Sequence, residues 1–136
     1  MNKILTALIL SISLPLPALA SPPKHSLAGE WVMHIYLRDR EGKPLLFEDE
    51  VKAREDEEGR ITGTLSVPKR FTVPIKNAKV KGKKFSFEIE ADEGRGKFQV
   101  RYAGEFHPDG DTFVGFGTVL GGNTLLGGFV GQRLKK

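Results

Sequence analysis

The chain has 136 residues, no cysteine, and 21 basic against 17 acidic side chains, for a net charge of +4. The missing cysteine excludes disulfide staples, thiolate metal sites, cysteine nucleophiles and lipid attachment through a cysteine. So mild a charge excess excludes the electrostatic footprint of a nucleic-acid binder. What remains is one domain held by an apolar core, which at this size buries roughly two thirds of the surface its unfolded chain exposes.

Residues 1–20 have the pattern of a secretory signal peptide. Lys3 supplies the positive start, Ile4 to Leu14 is an apolar run too short to cross a bilayer, and Ala18-Leu19-Ala20 is a small-x-small cleavage signature. Cleavage there predicts a periplasmic or secreted bacterial product with no membrane span after the leader. Residues 21–28, which include Pro22 and Pro23, are expected to be a mobile N-terminal arm. Residues 29–136 are expected to be the folded domain.

From Gly29 onward the apolar residues recur with a period of two, the signature of half-buried strands. Trp31, Met33, Ile35 and Leu37 alternate with Val32, His34 and Tyr36, and a turn with Gly42 and Pro44 as breakers follows. Phe47, Val51 and Ala53 mark a second strand, with Asp49 interrupting its apolar face, and the acidic turn from Glu55 to Gly59 ends it. Ile61 to Val67 makes a third. A fourth runs through Phe71, Val73 and Ile75, where Pro74 points to an edge or a bulge because it cannot donate to a ladder. A basic turn from Lys79 to Lys84 leads to the fifth, with Phe85, Phe87, Ile89 and Ala91 on one face. After a turn from Asp92 to Gly96 come Phe98, Val100, Tyr102, Gly104 and Phe106, then the turn His107-Pro108-Asp109-Gly110-Asp111. Thr112 to Leu120 and Thr124 to Leu134 complete the set across Gly121-Gly122-Asn123. The expectation is all-β: a single eight-stranded antiparallel up-and-down β-barrel, which removes exposed sheet edges, with a flattened β-sandwich as the alternative.

Gly29-Glu30-Trp31 resembles the GxW opening of the lipocalin and calycin barrels, and Arg133 resembles the arginine that those barrels pack across that tryptophan. The resemblance implies a calycin-like barrel with an indole plugging its narrow end and an open mouth opposite. A guanidinium stacked on the indole is worth on the order of 0.5–2 kcal/mol, and glycine lets the incoming chain approach closely. Gly29, Trp31 and Arg133 are therefore expected to be structural. Avidins share the opening tryptophan, and Thr62-Gly63-Thr64 resembles one of their strand motifs, but their biotin pockets use several tryptophans where this chain has one.

Alternation turns Trp31, Met33, Phe47, Leu65, Phe71, Phe85, Phe87, Phe98 and Tyr102 inward, enough bulk to fill a small barrel. Against that, the glycines from Gly115 to Gly131 thin one wall. They either open a pocket beside the aromatics or let tightly coiled strands bend. The turns near Arg40, Arg70 and Arg95 fall at one end, the mouth by resemblance, where these arginines and Lys69 would receive an acidic head group. The expected ligand-binding set is Trp31, Phe47, Phe71, Phe87, Tyr102, Arg40, Arg70 and Arg95. At the opposite end Asp109-Gly110-Asp111 lacks the spaced ligands of a Ca²⁺ loop.

No cofactor, metal site or catalytic residue is expected, since His25, His34 and His107 carry no metal spacing and no GxSxG elbow occurs. Asp49 falls on the inward register. Buried, it would need Arg101, Arg133 or Tyr102 as partner or would titrate high; a bulge or strand edge is expected to place it in water. The function these features favour is a non-enzymatic protein binding a small apolar or amphipathic ligand in its barrel. The alternatives are a protein-interaction module, such as an inhibitor of a secreted protease that uses the arm Ser21 to Ser26, and a barrel-type isomerase or cyclase.

Overall fold

The computed structural model describes residues 25–94, 96–122 and 124–134. The expected signal peptide, the first residues of the expected arm, and Arg95 lie outside them. Nine strands form: β1 (Gly29–Arg38), β2 (Pro44–Glu55), β3 (Ile61–Val67), β4 (Phe71–Pro74), β5 (Lys76–Lys81), β6 (Lys84–Asp92), β7 (Lys97–Phe106), β8 (Thr112–Val119) and β9 (Thr124–Arg133). All belong to one antiparallel sheet in the order β4-β3-β2-β1-β9-β8-β7-β6-β5. Each strand pairs with its neighbour in sequence except at β4 and β5. The β1–β9 ladder joins the first strand to the last and curls the sheet into a nearly closed barrel.

The strand count differs from the expected eight at one place. The fourth strand breaks at Pro74, and the two pieces serve different neighbours: β4 pairs with β3, and β5 pairs with β6. Proline has no N–H to continue a ladder. The next amide, of Ile75, donates instead to Gly63 O at 2.9 Å. Asn77 then adopts a left-handed φ of 53°, and the register of β5 on β6 shifts between Lys76 and Lys79. Most of the expected basic turn is consequently strand, with the turn itself at Gly82 and Lys83. The sheet is single, so the two-sheet sandwich is not what forms.

Alternation sorts the side chains as expected. All nine aromatic and aliphatic residues assigned inward are buried or half-buried. The lower half of the barrel is filled by rings. Trp31 packs 4.6 Å from Phe113 between ring centroids, Phe85 lies 4.7 Å from Phe113, and Phe106 lies 5.1 Å from Phe85. Gly131 is required here: a Cβ would stand 2.0 Å from the Phe113 ring.

The narrow end is closed by both ends of the domain. Arg133 sits beside Trp31 on the β1–β9 ladder, with its guanidinium carbon 4.2 Å from the indole centroid. Its Nε donates to Asp111 Oδ1 at 3.0 Å, and its Nη2 donates to the carbonyls of Ser26 and Gly110 at 3.2 and 3.1 Å. Its Nη1 donates to the carbonyl of Ala28. The indole Nε1 donates to Leu27 O at 2.9 Å. Gly29 has φ of 121°, and a Cβ there would lie 2.6 Å from Arg133 Nη1, so the position excludes any side chain. Of the arm expected over residues 21–28, the described part packs against this end. Leu27 is fully buried, His25 stacks on Phe106, and Ser26 Oγ donates to Glu55.

Arg133→Ala is expected to destabilise the protein by about 2–4 kcal/mol, combining the lost cation–π contact with three carbonyls left without their donor. Arg133→Lys recovers only part, because an ammonium lacks the planar fork. Urea unfolding measures both; a lysine variant as stable as wild type would show that the fork is not needed.

Candidate functional site

The upper half of the barrel is not filled. A cavity of about 330 Å³ lies among Ile35, Leu37, Leu45, Phe47, Val67, Phe71, Ile89, Phe98, Val100, Val119 and Leu126, with Asp49, Arg70 and Tyr102 as its polar members. The size suits one small ligand, since pockets that bury drug-sized molecules run from about 300 to 1,000 Å³. Its position follows from the strands. Leu37, Leu45, Val67, Phe71, Phe98, Val119 and Leu126 all stand near strand ends beside the turns that gather at one end, so the cavity opens there, opposite the Trp31 plug. Tyr102 stacks on Phe87 at 5.0 Å, and Phe87, fully buried, lies beyond the floor.

Four of the eight expected ligand-binding residues meet in this cavity: Phe47, Phe71, Tyr102 and Arg70. Phe71 and Phe98 touch edge to face at 6.2 Å between centroids. Trp31 and Phe87 do not line it, because each is covered completely by neighbouring side chains. Arg40 is exposed in the turn after β1 and takes no part in the lining. Arg70 stands at the rim, 5.6 Å from the Phe47 ring centroid, and is ion-paired with Glu93 of the β6–β7 turn. The aliphatic half of the lining is missing from the expected set. Ile35, Leu37, Val67, Ile89 and Val100 share the parity of the aromatics and were readable from it. Leu126 was not, because a register shift between Gly117 and Thr118 places an extra residue in β9 and reverses its parity.

The glycine-rich wall proves mostly structural. A Cβ on Gly127 would come within 2.3 Å of Tyr36 O, and one on Gly115 within 2.6 Å of the Phe129 ring. A Cβ on Gly117 would meet two residues that line the cavity, Leu126 at 3.3 Å and the Tyr102 ring at 3.5 Å.

Asp49 corrects the expectation that it lies in water. No bulge intervenes: it pairs with Met33 in an unbroken β1–β2 ladder and is 2% exposed. Neither Arg101 nor Arg133 reaches it, since Arg101 pairs outward with Glu88 at 2.9 Å and Arg133 caps the far end. Its Oδ1 has no hydrogen-bond partner among the described residues. Burial pushes its carboxyl up to about 6, and the Arg70 charge opposes that rise only in part. Burial, and then the charge of Asp49, push the Tyr102 hydroxyl well above the usual phenol range.

Outside the barrel, Tyr36, Leu46, Val114, Phe116 and Val130 form an exposed apolar strip across β2, β1, β9 and β8, with Gly128 at its centre. Among the described residues no group of three or more His, Cys, Asp or Glu side chains is placed to hold a metal ion. Asp109 Oδ1 instead accepts the amides of Asp111 and Thr112 within its own turn. No protein-family model and no curated protein matches the chain.

Because the folded carboxyl of Asp49 holds its proton more tightly than the unfolded one, its contribution to stability is fully present below about pH 3.8 and is lost as pH rises to about 6. A shift of that size corresponds to roughly 3 kcal/mol, discounted to about 1–2 because the cavity admits water. The stability gap of Asp49→Asn over wild type is therefore expected to widen by that amount between about pH 4 and pH 7. Paired urea titrations read it, and a gap that stays constant would show that Asp49 titrates normally.

Proposed function

We propose that this protein is a non-enzymatic binding protein, a calycin-like barrel exported by its leader to the periplasm or the medium, which takes a small, largely apolar ligand into its open end. The observation that carries this reading is the cavity: the aromatic plug occupies only the narrow half, and the remaining volume is walled by aliphatic and aromatic carbon. An apolar ligand would be driven in by burial, at about 0.8 kcal/mol per CH₂, or roughly fourfold in affinity for each added carbon until the space is full. The few polar groups would orient the ligand rather than supply the bulk of its affinity.

A second reading, a protein-interaction module such as an inhibitor of a secreted protease, draws support from the exposed strip centred on Gly128. Apolar side chains grouped on an outer sheet face are a common mark of a protein contact. The two readings use opposite faces of the same wall, so they separate by mutation.

Naphthalene, an apolar fluorophore without a head group, is expected to bind saturably at one site. Val119→Phe, which grows a ring into the cavity from β8, is expected to weaken it about tenfold or more, with the fold intact by circular dichroism. Phe116→Ser, on the outer face, should leave uptake unchanged. Absence of saturable uptake, or uptake indifferent to Val119→Phe, would overturn the binding reading.

A further inference from the structure

The acidic side chain in the cavity is unexpected for a site that would merely shelter hydrocarbon. Leu45 and Phe47 precede Asp49 on the same face of β2, so the carboxyl lies deeper than the rim, towards the floor that Ile35 and Tyr102 help to form. It lines the cavity, it is almost completely buried, and Oδ1 has no hydrogen-bond partner among the described residues. A buried, unpaired acceptor is costly, and an apolar residue of similar volume would make a more stable barrel. Ionised, a carboxylate only accepts hydrogen bonds. Its complement is therefore a donor, and a positively charged one gains most in a low-dielectric site.

From this geometry we propose that the ligand is an alkyl amine that enters head first, placing its ammonium on Asp49 Oδ1 and leaving its tail among Leu37, Phe47, Phe71 and Phe98. This rests on the cavity-binding reading above and fixes the chemistry of the bound head group. It reverses the polarity expected from the sequence, in which rim arginines would receive an acidic head. Arg70 is already engaged by Glu93 and the Phe47 ring, and a carboxylate taken deeper would meet Asp49 with like charge.

The ion pair also sets a pH dependence. The charged or titratable groups bearing on Asp49 are Arg70, from the turn between β3 and β4, and Tyr102 of β7. The other strands present apolar side chains to the cavity: Ile35 from β1, Val67 from β3, Ile89 from β6 and Val119 from β8. Burial keeps the Tyr102 hydroxyl protonated through the neutral range, so Asp49 is the group that changes. Amine binding should weaken as pH falls below about 6, where the carboxyl takes up its proton.

The test is competition against bound naphthalene by decylamine, decanol and decanoate, at about pH 7.5 and about pH 5, with wild type, Asp49→Asn and Asp49→Leu. At the higher pH decylamine is expected to bind about tenfold tighter than decanol, with decanoate weakest. Either substitution should bring decylamine to the level of decanol or below, each read relative to that variant's own naphthalene affinity. At the lower pH the wild-type preference for the amine should shrink. If naphthalene binds but decylamine is no better than decanol, or keeps its advantage in both variants, the amine proposal fails and the binding reading stands. If naphthalene does not bind wild type, both fall.

Discussion

The contact between Trp31 and Arg133 is the constraint on which the rest of the barrel depends. The two residues are neighbours on the ladder that joins the first strand to the last, so the stacking holds together segments a hundred residues apart in sequence. The same guanidinium spans the carbonyls of Ser26, Ala28 and Gly110. It thereby fastens the incoming chain, the β7–β8 turn and the end of β9 in one place. With one end held this way, the aromatic residues can be concentrated below and the other end left hollow.

The division of the interior into a packed half and a hollow half gives the chain two kinds of buried residue. Below, rings at centroid distances of 4.6 to 6.3 Å cover one another, and Gly131 yields its side-chain space to Phe113. Above, the lining is mainly aliphatic, and one carboxyl breaks it. Nothing about closing a barrel requires an acid at position 49; a leucine there would serve the fold better. A buried acid without a partner, kept at a cost to the fold, is the kind of group that functional sites commonly hold, and this is why the proposed amine site is centred on it.

Much of this organisation was legible in the sequence, because the period-two pattern is unbroken over β1, β6 and β7 and each stretch is bounded by glycine, proline or aspartate. The inward faces follow from it directly, whereas the pairing of Trp31 with Arg133 was expected from the resemblance of Gly29-Glu30-Trp31 to a calycin opening. Three things did not follow. The split of the fourth strand depends on which neighbour each half meets, and Pro74 signals an irregularity without saying that two ladders part there. Leu126 faces inward only because of the register shift in β9. Asp49 has the inward parity, but parity alone does not say whether the interior at that height is solvent, side chain or cavity. The site was therefore visible as a set of aromatic candidates, of which two, Trp31 and Phe87, serve as packing.

The seam between β4 and β5 has a consequence for the molecule in solution. Each of these strands has a ladder on one side only, so here the barrel keeps the open backbone edges that full closure would remove. Such edges are templates for pairing with a second chain. On this seam β4 is only four residues long and ends in proline, while Lys76, Lys79 and Lys81 stand exposed along β5. Shortness, a missing donor and a row of like charges are each obstacles to strand addition. The basic segment that reads in the sequence as a mere turn thus lies along an unsealed edge of the barrel, where its charge opposes the addition of a strand from a second chain.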